Sequence, residues 1–499
     1  MKISTFVLWI SFLTLISLSA SAFDAQVVQA RHTIARLKLI TSKTIWGTNF
    51  DHQHFCEKLH SSAIQMEKIP YRELLRVLSE SEIESIISTF FEARIHLNRQ
   101  IKELYRLNHL DANCARAFRS VIGKMTPIED AFAEKVLQPS RRIGIALRGH
   151  FPQMLANEAQ EKWQLRSGDL LLSRGDTFVS SAISNIGDYD GRFSHLAFAY
   201  QEPLSKDWYA VESHIETGLS VTPLETYMKQ PKVRVSVYRT EIAKLGETAA
   251  GIIFQKWLDS RSSPNPKPIL YDFQMNSKDE SELYCSEVIS TGIRQALFRM
   301  GFHEYEIPLF TTKINPEKTP FLRQLGIEFL DVFTPSDIEV DPRFILMADW
   351  RNPEFTPKSR NRDLVMKSIF GWMNTDGYQL KPNLSQALFS SGAWAFKKLF
   401  GDQLETTKRI PENISVDAIT TIIDLEFIGE KILTALEDYQ SYQGRKHDHL
   451  VSDQESLDYL ELLKNLDAKT FYKTPNAKSL IHEFLRAENK KVPESNSDL

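Results

Sequence analysis

A cysteine nucleophile needs a base within reach and a further group to hold that base in the right tautomer. This sequence offers each part in a separate string. Cys285 lies in ELYCSEVIST, behind the serines and acidic residues of SKDESE and ahead of an apolar periodic run, a pattern that predicts a helix start. In the first turns of a helix, unpaired N–H groups and the helix dipole favour a thiolate. His195 opens the apolar run of GRFSHLAFAY, and a strand end can aim an imidazole out of a sheet toward a helix terminus. His214 closes the next strand-like run, DWYAVESH, with Glu212 two residues before it, and His303 is a third histidine in the same region. Each has an ordinary alternative. Cys285 beside Val288, Ile289 and Gly292 also reads as core filling, and a single histidine is usually just a hydrogen-bonded side chain.

Other groupings are weaker. DHQHFCEKLH sets Asp51, His52, His54, Cys56 and His60 close together. An extended chain would align His52, His54 and Cys56, a helix Cys56 and His60, and neither is a compact zinc spacing. Exposed histidines near a helix start are the plainer reading. His447 and His449 in KHDH read as a polar loop. GDYDGR, from Gly187 to Arg192, lacks the ligand series of a calcium loop and points to loop geometry or substrate contact. Tyr284 and Asp272 read as packing and capping residues. No phosphate-binding glycine loop and no nucleic-acid motif is found. No cofactor and no metal is expected.

The elements that must position these residues follow from patterning. Up to about residue 160 the chain reads as helical: Ser79 and Glu82 form a capping box, followed by Ile83, Ile86, Ile87, Phe90, Phe91, Leu97, Ile101 and Leu104 at helical spacing. From about Leu165 the texture changes to short strands: SGDLLLSRGD, FSHLAFAY, DWYAVESH and the alternating KVRVSVYRT. Helical patterns follow at about 245–259 and 280–300. After Pro357 the chain is helical again, with Ser415 opening a run that sets Val416, Ile419, Ile423, Phe427 and Ile432 on one side.

The N-terminus reads as an address. Lys2, the apolar run FVLWISFLTLISL and the Ala20/Ala22 pair predict a signal peptide cleaved after Ala22. No later stretch is apolar enough to span a bilayer. The expected product is secreted, and periplasmic if the source is a Gram-negative bacterium. Of three cysteines, Cys56 and Cys114 lie in the N-terminal region and Cys285 far away. In an oxidising compartment the first two can pair, which would stabilise by about 4 kcal/mol; three reduced thiols are the alternative. A net charge of −4 excludes recruitment of nucleic acid by a global basic field.

The ordered set SGDLLLSRGD, FSHLAFAY, AVESHIETGLSVTPLETY, LYDFQMNSKDESELYCSEVI and DVFTPSDIEVD resembles the permuted papain-like hydrolases, and among them the YiiX/YebB-like branch of the NlpC-type cysteine hydrolases. The resemblance covers about residues 163–352, and Tyr-Cys-Ser-Glu behind Tyr-Asp-Phe is its most specific part. It implies a histidine strand that precedes the cysteine helix, the reverse of papain. The family's nucleophile falls on Cys285, its histidine on His195 and its carboxylate on Glu212. Ser213 stands where alanine usually follows the glutamate, and His214 is close by, so the third member is Glu212 or His214.

The expected fold class is α+β, a permuted papain-like (NlpC-type) catalytic domain flanked by helical regions. The expected divisions are signal peptide 1–22, helical region 23–160, catalytic domain 161–353 and helical region 354–499. One helical arm is expected to roof the site. The expected activity is amide cleavage through a thioester, on a peptidoglycan peptide or a related cell-envelope substrate. A lipid-directed acyl hydrolase or acyltransferase would use the same residues, and a non-enzymatic scaffold is the third possibility.

Overall fold

The computed structural model describes residues 27–36, 51–136, 146–148 and 151–155 and, with short breaks, 164–381 and 413–487. The expected signal peptide and His303 lie outside the described residues. The chain divides into two compact units, one ending at Val136 and one beginning at Leu137.

The first unit is helical: α1 (residues 27–36), α2 (His52–Glu67), α3 (Tyr71–Val77), α4 (Glu80–Arg106) and α5 (Ala112–Val136). The capping box is formed, Ser79 Oγ accepting from the Glu82 amide and the Glu82 carboxylate from the Ser79 amide at 2.9 Å. The predicted stripe of α4 is buried at Ile83, Ile87, Phe90, Phe91, Leu97, Ile101 and Leu104. Cys56 of α2 and Cys114 of α5 form a disulfide with 5.2 Å between Cα atoms. Buried Arg94 and Glu129 pair at 3.2 Å between α4 and α5.

The second unit is built on an eight-stranded sheet in the order β1-β2-β10-β7-β3-β4-β5-β6. Its strands are β1 (Ala146–Arg148), β2 (Phe151–Leu155), β3 (Leu170–Gly175), β4 (His195–Gln201), β5 (Trp208–His214), β6 (Gly218–Pro223), β7 (Lys232–Thr240) and β10 (Phe344–Arg351). All pairings are antiparallel. The strands expected from sequence became β3, β4, β5 and β7. The stretch before residue 160, expected to be helical, also contributes β1 and β2, and β2 pairs with β10. Segments of three and five residues are too short for a period of two to show.

Helix α7 (Leu224–Lys229) packs on β5 and β6, and helices α8 (Leu245–Ser262) and α9 (Cys285–Arg299) pack on each other and on β4. A side chain at Gly292 would stand 3.1 Å from the Phe198 ring and from the Ala249 carbonyl oxygen, so glycine lets α9 lie close to both β4 and α8. The C-terminal helices α10 (Thr356–Asp376) and α11 (Val416–His447) belong to this same unit. They share a core with α6 (Phe178–Asn185), in which Phe178, Val365, Ile369, Leu425, Ile428 and Ile432 meet. The buried stripe of α11 runs through Leu425, Ile428, Ile432 and Leu436, while Phe427, expected on it, is 39% exposed. Glu426 reaches back to α6, accepting from the Val179 amide at 2.8 Å. Helix α12 (Asp453–Lys473) completes the cluster. Two small sheets pair β8 (Thr312–Lys313) with β9 (Asp331–Val332) and β11 (Tyr378–Leu380) with β12 (Leu485–Ala487), and Val332, Leu380 and Leu485 join the same core. Among the described residues no helix is long and apolar enough to cross a membrane.

Candidate active site

Strand register brings the first pair together. Ala197 of β4 faces Glu212 of β5. His195 lies two residues before Ala197, so it shares that face of the sheet and meets Glu212 on the diagonal. Its Nε2 is 2.7 Å from Glu212 Oε2. Continuing the register by two residues sets His214 opposite His195, and the two rings stack at 5.1 Å. His214 Nε2 is 2.9 Å from the other oxygen, Glu212 Oε1, an ion-pair distance. One fully buried carboxylate therefore serves both imidazoles.

Cys285 is the first residue of α9. The Tyr284 backbone before it is extended, and Val288 N–H bonds back to the Tyr284 carbonyl at 3.2 Å. The segment leading to it is held from both sides. The Leu283 amide donates to Leu270 O at 2.9 Å, and Ser213 Oγ donates to Leu283 O. The Leu219 amide donates to Ile269 O at 2.9 Å beside Gly218, whose φ is +64°. A Cβ at Gly218 would stand 2.1 Å from Ile269 O, so both its conformation and the close passage require glycine.

The thiol is buried, and it is the one free cysteine. The backbone amides of Leu196, Ser286 and Cys285 itself favour its charged form, as does the Ser286 hydroxyl 3.9 Å away. The Leu196 amide puts Sγ one residue along the chain from His195. The body of α9 covers the opposite face of β4, the Phe198 face. Thiol and imidazole can therefore meet only at the end of the sheet, where β4 begins. Because Nε2 is directed at Glu212, Nδ1 is the nitrogen left to face a thiol.

Burial sets the charge state. It pushes the Cys285 thiol up to about 11, outweighing the amides. It also pushes His195 down, against the pull of Glu212. For His214 burial acts the same way, but Glu212 wins and its value is raised. Burial alone would raise Glu212, yet the two imidazoles hold it well below the ordinary carboxylate range. At neutral pH the resting pair is then a neutral thiol and a neutral imidazole.

Sequence reasoning missed several neighbours. Lys232 of β7 lies with Nζ 3.8 Å from the centre of the Tyr227 ring, and burial lowers it to about 8 although Glu212 opposes this. Its charge lowers both His195 and His214. Tyr227 donates to Ser173 Oγ at 3.1 Å, and Ser173 is paired with His195 across β3 and β4. Glu287, in the first turn of α9, is buried with neither oxygen in a hydrogen bond, and burial lifts it to about 8. Only the glutamate of Cys-Ser-Glu was visible beforehand, and its burial was not.

The remaining candidates take structural places. Asp51 caps α2, accepting from the His54 amide at 3.0 Å, and His52 stacks on His109. Cys56 is committed to its disulfide and cannot ligate a metal. In the GDYDGR loop Tyr189 donates to Asp337 and buried Arg192 pairs with Glu339 at 2.9 Å, anchoring the approach to His195. Asp272 accepts from the Gln274 amide at 2.8 Å within its own turn. His449 bonds Glu455 at 2.8 Å. Among the described residues, the one group whose ligand atoms could gather on a metal is His195, Glu212 and His214, all within 4.8 Å. Those atoms face one another at 2.7 and 2.9 Å, with the Glu212 carboxylate between the two imidazoles.

Residues 164–307 match the family model of the permuted papain-like amidase enzymes, YaeF/YiiX, C92 family. That is the family expected from the motifs, and the matched stretch contains Cys285, His195, Glu212 and His214. No curated protein and no solved structure matches the chain.

Proposed function

We propose that this chain is an exported cysteine hydrolase that cleaves an amide bond through a thioester on Cys285. The observation that carries the reading is the His195–Glu212 pair at 2.7 Å, set at the sheet end where the buried thiol begins α9. The amidase family of the matched stretch supports amide chemistry in general. Glu212 orients the His195 ring and His214 braces Glu212. His195 Nδ1 takes the thiol proton as Sγ adds to the amide carbonyl, so the ion pair arises during attack. The backbone amide of Cys285 is placed to donate to the developing oxyanion. His195 returns the proton to the departing amine as the C–N bond breaks. Water, deprotonated by the same ring, then releases the acid and restores the thiol.

Peptidoglycan peptides are the first substrate class to assay, given the expected export. A specific observation also favours a lipid-directed reading: the cavity beside the site is apolar. The test compares the chain with its Cys285→Ala and His195→Ala variants on amides with a chromogenic amine. Loss of at least about 10³-fold in kcat/KM is expected for each, measured below the melting temperature of the variant, which His195→Ala should lower by taking a partner from buried Glu212. Turnover that survives Cys285→Ala contradicts the reading, and absence of turnover in the unaltered chain on every amide favours a scaffold. Cleavage after Ala22 is checked by N-terminal sequencing of the exported protein.

A further inference from the structure

Two imidazoles and one carboxylate, with a further position open to water, make a donor set that suits zinc. Strand pairing gathers such a set in one place, because His195, Glu212 and His214 share one face of the neighbouring strands β4 and β5. The two rings lie nearly parallel, 16° apart with centroids at 5.1 Å, and both turn Nε2 toward the Glu212 carboxylate. The three ligand atoms lie within 4.8 Å of one another. A tetrahedral zinc ion with bonds of about 2.1 Å holds its ligand atoms roughly 3.3 Å apart. The spacings here, 2.7 and 2.9 Å from nitrogen to oxygen and no more than 4.8 Å overall, bracket that value.

The set is open to an ion from outside. Glu212 is fully buried, but 19% of the His195 side chain and 29% of the His214 side chain meet solvent. Glu216 adds a negative charge that acts on His214, and Lys232 opposes it. Cys285 is not part of the set: the gathered atoms include no sulfur. The two nitrogens of one ring point apart, so an ion on His195 Nε2 is on the far side of the ring from whatever Nδ1 faces.

An ion at this position has a chemical consequence. A neutral imidazole carries one proton and one lone pair on its two nitrogens. For Nδ1 to accept the thiol proton, the ring's own proton must sit on Nε2, where Glu212 receives it at 2.7 Å. A metal on Nε2 displaces that proton, and the ring then carries its proton on Nδ1. Nδ1–H and S–H are both donors, so the thiol is left without an acceptor.

We propose that His195, Glu212 and His214 form a reversible zinc site with water as the fourth ligand, and that zinc bound there switches the hydrolase off by holding its base in the wrong tautomer. The site stands on the geometry, and the switch rests on the hydrolase reading.

The test uses the full chain without an affinity tag. Zn²⁺ is titrated in competition with a chromophoric chelator, and Co²⁺ is added separately as a spectroscopic probe. One ion per chain is expected, with cobalt d–d absorption in the visible and no thiolate-to-cobalt charge-transfer band. Cys285→Ala should give the same spectrum. His214→Ala and, separately, Glu212→Gln should weaken zinc binding at least about tenfold, since even a change beside a metal ligand costs that much. Each variant is measured below its own melting temperature, and zinc should raise the melting temperature of the parent more than that of either variant. His54→Ala, among the exposed histidines of the first unit, should bind zinc as the parent does. Turnover of the parent should fall in proportion to occupancy and return when the chelator is in excess. Absence of binding overturns the site, as does binding undiminished in both site variants, binding lost in His54→Ala, or a charge-transfer band that Cys285→Ala removes. Turnover that continues or rises with the site filled overturns the switch. If the unaltered chain turns over no amide, the hydrolase reading fails and takes the switch with it, while the titration and the cobalt spectrum still decide the site.

Discussion

The resting site holds no thiolate–imidazolium pair, because burial raises the thiol and lowers the imidazole that would take its proton. Alkylation of Cys285 by iodoacetamide should therefore rise with pH toward a midpoint near 11, well above the ordinary thiol value of about 8.5. A plateau already reached below pH 7 would show a preformed thiolate and contradict this charge assignment. At this scale the sequence was most readable where a role sits in one contiguous string. Cys285, His195 and Glu212 each carry such a string. The choice between Glu212 and His214 was open because adjacent residues of one strand cannot reveal which reaches across to β4. In the structure Glu212 touches His195, and His214 touches Glu212 and stacks on His195. Lys232 was invisible because its approach to Glu212 depends on β7 lying next to β3, a pairing between segments some sixty residues apart, and Tyr227 because its helix packs back on β5.

Helix α9 was readable from the acidic and serine-rich residues ahead of Cys285, and its first turn carries a consequence for stability. Buried Glu287 holds its proton up to about pH 8, against an ordinary 4.5. An unfolded chain gives that proton up first. The stability present below pH 4.5 is therefore lost progressively as pH rises to about 8. Glu287→Gln does not titrate, so its melting temperature relative to the parent should climb between pH 4.5 and 8 and level off above. A difference that stays constant from pH 4 to pH 9 would mean that Glu287 is ionised in the fold. Strands β1 and β2 were not readable, being too short to show alternation and fixed only by β10, far along the chain. Helix α11 was readable as a helix, but its buried face was misjudged by one residue. Phe427 looked like core, yet it is 39% exposed, its ring 5.0 Å from that of buried Phe484, while Ile428 turns inward.

The whole molecule holds two compact units and one disulfide, which lies in the first unit. Alkylation of the denatured, unreduced protein should label one cysteine, Cys285, and reduction should expose two more. Reduction should weaken the first unit by about 4 kcal/mol and leave the transition of the second in place. Weakening of both transitions on reduction, or three labels without reductant, would contradict this. The expected boundary at residue 353 has no counterpart, since α10 and α11 share their core with α6. Sequence could show that each of these helices has an apolar face but not which surface covers it. The central claim is that Cys285 is the nucleophile, and intact mass tests it most directly. The protein is quenched in acid during turnover of an N-acyl amide and its peptides are mapped. The account predicts an acyl adduct on the Cys285 peptide that hydroxylamine removes and that His195→Ala fails to form. Full turnover with the adduct on another residue, or with none in a Cys285→Ala chain that still hydrolyses the amide, would contradict it.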